Sequence, residues 1–253
     1  MLEQTVSFFL SFFANPSVWG IGLAVYFGAF WLAPYWPPLF KRPWLWAIMA
    51  GSAFLALAAA SFIQIPLQVL AGQALNYFWS QELLMRWLLL AGIPAILLSG
   101  LVQEGAKLVP IVIYWRHQGK SLDPKLGLAI GAVAGAGFGI FEAQWAHNTV
   151  FASVNIWEAV QASGLMELAP FWERFFVVAA HTAFSALASY GLAKGRGWQF
   201  YLIASCLHAF LNYGIVLLRL EIFTAVQWEI YAMVYALSVT AWALWLRWRR
   251  TAE

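Results

Sequence analysis

Leu-Val-Gln-Glu-Gly-Ala-Lys, residues 101–107, lies inside an apolar run from Trp87 to Trp115 and places two ionisable groups along a stretch otherwise suited to cross a bilayer. Near the bilayer centre a carboxylate or an ammonium costs roughly 2.5–3.5 kcal/mol even on lenient insertion scales, so Glu104 and Lys107 require a compensating interaction. On a helix they stand three residues apart and share a face. Mutual neutralisation would suit a structural lock between helices. Yet Glu142, His181 and His208 each stand alone in another apolar segment, and an ion pair by itself has no use for them.

The remainder of the chain has the same character. Its 253 residues are 63% hydrophobic and 10% charged, with a mean hydropathy of +0.72, which excludes an ordinary soluble globule. Strand-like alternation is missing, whereas apolar runs of about 20 residues recur, the length a helix needs to cross the hydrocarbon. The fold class is therefore all-α: a polytopic membrane helical bundle, read as a single transmembrane domain over residues 1–253. A formal charge of +3 would suggest anionic partners in a soluble chain. Here the basic residues fall at segment ends, where membrane topology accounts for them, and no nucleic-acid partner is expected. The single cysteine, Cys206, cannot form an internal disulfide and is expected to serve as a small packing residue. Residues 1–14 lack a basic leader and a small-residue cleavage site, so the first span is expected to remain as an uncleaved anchor.

Seven spans are predicted, at about 17–33, 43–63, 87–115, 126–147, 175–193, 198–218 and 230–246. Residues 1–14 read as a segment lying at the membrane interface, 64–81 as a short helix on the surface, and 148–172 as a moderately polar loop. The third span would be about 44 Å long at 1.5 Å per residue, too long for a ~30 Å hydrocarbon core, so it must tilt, kink or protrude. Pro94 and Pro110 are its natural kink points. In the fourth span Gly127, Gly131, Gly135 and Gly139 recur every fourth residue, a smooth face for close helix packing. Lys41, Arg42, Arg116, Lys120, Lys125, Lys194, Arg196, Arg247, Arg249 and Arg250, ten of the fourteen basic residues, fall on one side of this arrangement. Only Arg86, Arg174 and Arg219 fall on the other. The N-terminus is thus expected outside and the C-terminus in the cytoplasm.

With these boundaries Glu104 and His208 lie about 16 and about 15 Å from the cytoplasmic ends of their helices, near mid-membrane. Glu142 and His181 come out within a turn or two of the same level, closer to the outer face. Ser185 and Ser189 follow His181 at helical spacing, as Asn212 follows His208 and Ser205 precedes it. His117 and His147 sit at or near segment ends and read as interfacial. Two carboxylates and two imidazoles in the bundle interior suit three kinds of chemistry. One is activation of water by a buried glutamate, with an amide such as Asn212 stabilising an oxyanion. Another is a metal site such as zinc, and the third a proton relay. The sequence has no HExxH, so a metal site would be assembled from separate helices.

The segments Gln-Glu-Gly-Ala-Lys (103–107), Gly-Ala-Gly-Phe-Gly-Ile-Phe-Glu (135–142), His-Thr-Ala-Phe-Ser (181–185) and His-Ala-Phe-Leu-Asn (208–212) together resemble the four motifs of the PrsW family of intramembrane proteases. That family is similar to the type II CAAX prenyl endopeptidases and to the Aph subunit of gamma-secretase. The likeness covers residues 101–214, which would form the catalytic core. It implies that Glu104 activates water, that Glu142, His181 and His208 complete the polar cluster, that Asn212 donates to the oxyanion, and that Lys107 holds Glu104 in place. A bound zinc would then be held by Glu104, Glu142, His181 and His208. The family usually has two adjacent glutamates, and here Gln103 stands at the first; Glu104 is read as the base because it precedes the lysine by three. The function implied is an endopeptidase of the bacterial cytoplasmic (inner) membrane. Its substrate would be a membrane protein or membrane-anchored peptide, an anti-sigma factor being the suggested class. The rivals are a non-catalytic scaffold like the Aph subunit and a proton-coupled transporter. The transporter is disfavoured by the lack of an internal repeat.

Overall fold

A computed structural model describes residues 2–249, and among them all regular structure is helical, with no strand. The order is α1 (Leu2–Ser11), α2 (Val18–Leu32), α3 (Trp44–Ala59), α4 (Ile65–Phe78), α5 (Gln81–Arg86), α6 (Leu88–Ala91), α7 (Ile93–His117), α8 (Pro124–Ser153), α9 (Ile156–Ser163), α10 (Ala169–Ala193), α11 (Gly197–Arg219) and α12 (Ala225–Trp248). Seven helical stretches among the described residues are long and apolar enough to cross a membrane. Their starts carry local signals. Ser17 accepts from the Gly20 amide at 3.3 Å, Asp123 accepts from the Leu126 amide at 2.7 Å, and Thr224 with Gln227 forms a capping box.

The second span departs from the expectation. It does not stop at residue 63 before a separate surface helix; α3 continues into α4 through a π-helical turn at Ala60–Gln64. Pro66 supplies the reason. It has no N–H to donate and its ring crowds the carbonyl four residues earlier, and one wide turn relieves both without ending the helix. The overlong third stretch is resolved differently from a kink at Pro94, which sits in the first turn of α7, where the missing N–H is harmless. The break falls instead at Gly92, between α6 and α7, and Pro110 remains inside α7.

Residues 148–172 are not a loop. The helix α8 runs on to Ser153, α9 and a 3₁₀ turn at Leu165–Leu168 follow, and α10 begins at Ala169. His147 is consequently buried rather than interfacial: with α8 extended past it, its Nδ1 lies 3.3 Å from the Gly20 carbonyl of α2, between Phe27 and Phe171. Cys206 is also corrected, since it faces outward from α11 and is exposed instead of packed. His117 does end α7 and is exposed.

Two helices form the centre. α8 is flanked by α2, α3 and α10, whereas α10 is flanked by α8, α11 and α12, and α7 is inserted between α3 and α11. The four glycines of α8 make the central contact as expected. A Cβ on Gly131 or Gly135 would fall on the carbonyl oxygens of Ser185 and His181, so the two backbones touch at the level of those side chains. At one end of the bundle the Arg247 Nε donates to the Tyr35 carbonyl at 2.9 Å, Arg249 to the Tyr190 hydroxyl at 2.8 Å, and Trp44 stacks on Tyr114 at 4.1 Å. These contacts gather the helix ends that carry most of the basic residues. Arg250 lies outside the described residues.

Candidate active site

The polar side chains scattered over four helices meet inside the bundle. Successive turns of α7 carry Glu104 and Lys107, and the Lys107 ammonium lies 2.5 Å from Glu104 Oε1 with both side chains fully buried. The same oxygen is 2.8 Å from His208 Nδ1 of α11, and Glu104 Oε2 accepts from the Ser185 hydroxyl of α10 at 3.2 Å. Lys107 also reaches His181 Nδ1 at 3.2 Å and lies 5.4 Å from the Phe138 ring centroid. His181 Nε2 is 2.9 Å from Glu142 Oε2 of α8.

The partners settle the proton positions. An ammonium can only donate, so His181 Nδ1 is the acceptor and its Nε2–H donates to Glu142. Ionised Glu104 can only accept, so His208 donates from Nδ1, and its Nε2 makes no hydrogen bond among the described residues. Removing one member of such a buried pair leaves an uncompensated charge and costs about 3–5 kcal/mol.

Each helix is held close enough for this by small residues. A Cβ on Gly100, one turn before Glu104, would fall on the Ser205 carbonyl, so α7 and α11 touch there and Glu104 and His208 share a level. Asn212 is not drawn onto Glu104; its Nδ2 donates to Ser99 Oγ of α7 at 3.0 Å. Gln103 turns away from the cluster, donating to Gln64 Oε1 in the π turn at 2.9 Å. Arg174 was read from sequence only as a charge at a segment end. Its Nη1 lies 3.2 Å from Glu142 Oε2, and it is also paired with Glu173. The available signal was spacing: Arg174 and His181 are seven residues apart, two turns along one helix face.

A family model described as PrsW family intramembrane metalloprotease matches residues 41–243. This chain belongs to the PrsW family. No curated protein and no solved structure matches it. The match takes in all four motif segments and the π turn, and it makes this bundle of seven apolar helices a multi-pass membrane peptidase.

The family description implies a metal, and the donor set is of the right kind. Glu104, His181 and His208 each offer a ligand atom within 4.8 Å of the others, two imidazoles and a carboxylate as in catalytic zinc sites that keep a fourth position open. Glu142 is outside that group and takes the other nitrogen of His181, as an outer partner of a ligating histidine does. Lys107 draws on Glu104 and His181 at the same time, so its ammonium competes with an ion for those two ligands.

Proposed function

We propose that this PrsW-family protein is an intramembrane endopeptidase that hydrolyses a peptide bond in a membrane-spanning or membrane-anchored substrate, with Glu104 as the group that activates water. The observation that carries the reading is the burial of Glu104 and Lys107 together at 2.5 Å in the middle of an apolar bundle. Within α7 that pair already neutralises its own charges, yet His208, Ser185 and His181 from two other helices converge on it, placing two imidazoles beside a buried carboxylate.

Lys107 pairs with Glu104 and, with Ser185, fixes its orientation. Glu104 accepts a proton from water as the oxygen attacks the scissile carbonyl. His208, held through Nδ1, presents Nε2 toward the reacting groups. The Asn212 amide, anchored on Ser99, keeps a second N–H for the developing oxyanion. Glu142 fixes the His181 ring, and Arg174 fixes Glu142. Were zinc bound, Glu104, His181 and His208 would hold it and it would supply hydroxide near neutral pH, with Glu104 then a ligand in place of the base. A second reading draws on the Glu104–His208 contact alone. With Nδ1–H directed at the carboxylate, the imidazole Nε2 is the base and Glu104 holds the ring. The bacterial cytoplasmic membrane is the proposed location, and a membrane-anchored regulator such as an anti-sigma factor the proposed substrate class.

The test compares cells expressing wild type and Glu104→Gln by enrichment of new protein N-termini from membrane fractions. Fragments cut within or beside a span should be present with the wild type and absent with the variant, while the purified variant stays folded. Fragments unchanged in the variant would sink the assignment of Glu104. A variant that no longer folds, with no fragments produced by the wild type, would favour the scaffold.

A further inference from the structure

At the end of the bundle that gathers the basic residues, a pocket opens between the last turns of α10 and α12 and the first turn of α11. We propose that it is a binding site for an anionic phospholipid headgroup. Lys194, Arg196 and Arg249 line it together with the Tyr190 hydroxyl. Among the described residues no carboxylate lies within salt-bridge distance of any of the three cations.

The rim is built rather than incidental. Gly195 adopts φ +71°, a left-handed conformation that ends α10, and the Arg196 amide donates to the Gly191 carbonyl at 2.8 Å. This tight connection fixes Lys194 and Arg196 on either side of one residue. Arg249 is held by its 2.8 Å hydrogen bond to Tyr190 and by the Trp245 ring, 4.8 Å from its guanidinium, and the fork keeps further N–H groups for a phosphate. The first turn of α11 has no side-chain cap, so its amides add donors and a positive helix end at the same place.

Depth and lining identify the phosphate as one carried by lipid. Phe200, Trp242 and Leu246 form the apolar wall, along which acyl chains can run down α11 and α12. Trp198 and Trp245 are exposed beside the pocket, and tryptophan in that setting marks the headgroup level. A basic pocket between spans at that level is the arrangement that takes acidic headgroups.

Native mass spectrometry of the full chain in detergent tests this, with dioleoyl phosphatidylglycerol, dioleoyl phosphatidylcholine and soluble glycerol phosphate as probes. One phosphatidylglycerol should be retained in preference to phosphatidylcholine. Affinity should fall about fivefold for Lys194→Gln or Arg196→Gln and roughly a hundredfold for the triple variant with Arg249→Gln, from about 1 kcal/mol per cation at the membrane surface. Lys194 and Arg196 are exposed and make no side-chain hydrogen bond among the described residues, so the single variants carry the test if the triple one fails to fold. Equal retention of phosphatidylcholine, or single variants that bind phosphatidylglycerol as the wild type does, would overturn the site. Displacement by an equal concentration of glycerol phosphate would overturn its assignment to lipid.

Discussion

Arg174 shows how one side chain far along a helix can govern a site it does not touch. It holds Glu142, which holds His181, which faces Lys107 and so Glu104. Outer partners of this kind set ring orientation, and losing one typically costs 10–100-fold in activity. Arg174→Gln is expected to lower kcat by about that factor with little change in KM, and Arg174→Lys to recover part of it. Initial rates on a cleaved substrate check this, and an unchanged kcat would remove Arg174 from the machinery. The sequence announced Glu104, Lys107 and the two histidines because ionisable groups in apolar spans are costly and therefore purposeful. Arg174 escaped notice for the opposite reason. At a segment end a cation costs nothing, and only the packing of α8 on α10 turns it inward.

At the scale of the element, the contact between α8 and α10 decides whether the site assembles. The Gly135 position abuts the carbonyl of His181 itself, and a backbone atom cannot move aside as a flexible side chain would. Gly135→Ala is therefore expected to destabilise the bundle by about 1–3 kcal/mol and to displace His181. Gly22→Ala and Gly72→Ala, where an added Cβ meets nothing, serve as controls and should leave the melting temperature unchanged or raised. Thermal unfolding of the three variants in one detergent separates these outcomes. The period of four in these glycines made the packing face legible in the sequence. The junction at Ala60–Gln64 was not, because Pro66 reads equally as the end of a helix or as its interruption, and the choice depends on neighbours such as Gln103, which bonds to Gln64.

For the whole molecule, the clustering of basic residues at one end makes a prediction about orientation. In a Cys206→Ser background, Asn15→Cys should react with a membrane-impermeant maleimide added outside intact cells, and Gly119→Cys only after lysis. The reverse pattern would invert the protein and move the Lys194–Arg249 pocket to the outer leaflet. Composition and spacing alone determined that the chain is a helical membrane bundle, that it carries seven apolar spans and which residues are too polar to be there without purpose. Those conclusions follow from the cost of placing charge and unpaired backbone in hydrocarbon, which acts on each segment independently. Only the tertiary structure decided that Glu104 meets His208 and Ser185, that Glu142 lies behind His181, that Gln103 turns away and that His147 is buried. Those outcomes depend on how far helices extend and which faces touch, and contacts between segments distant in the chain set both.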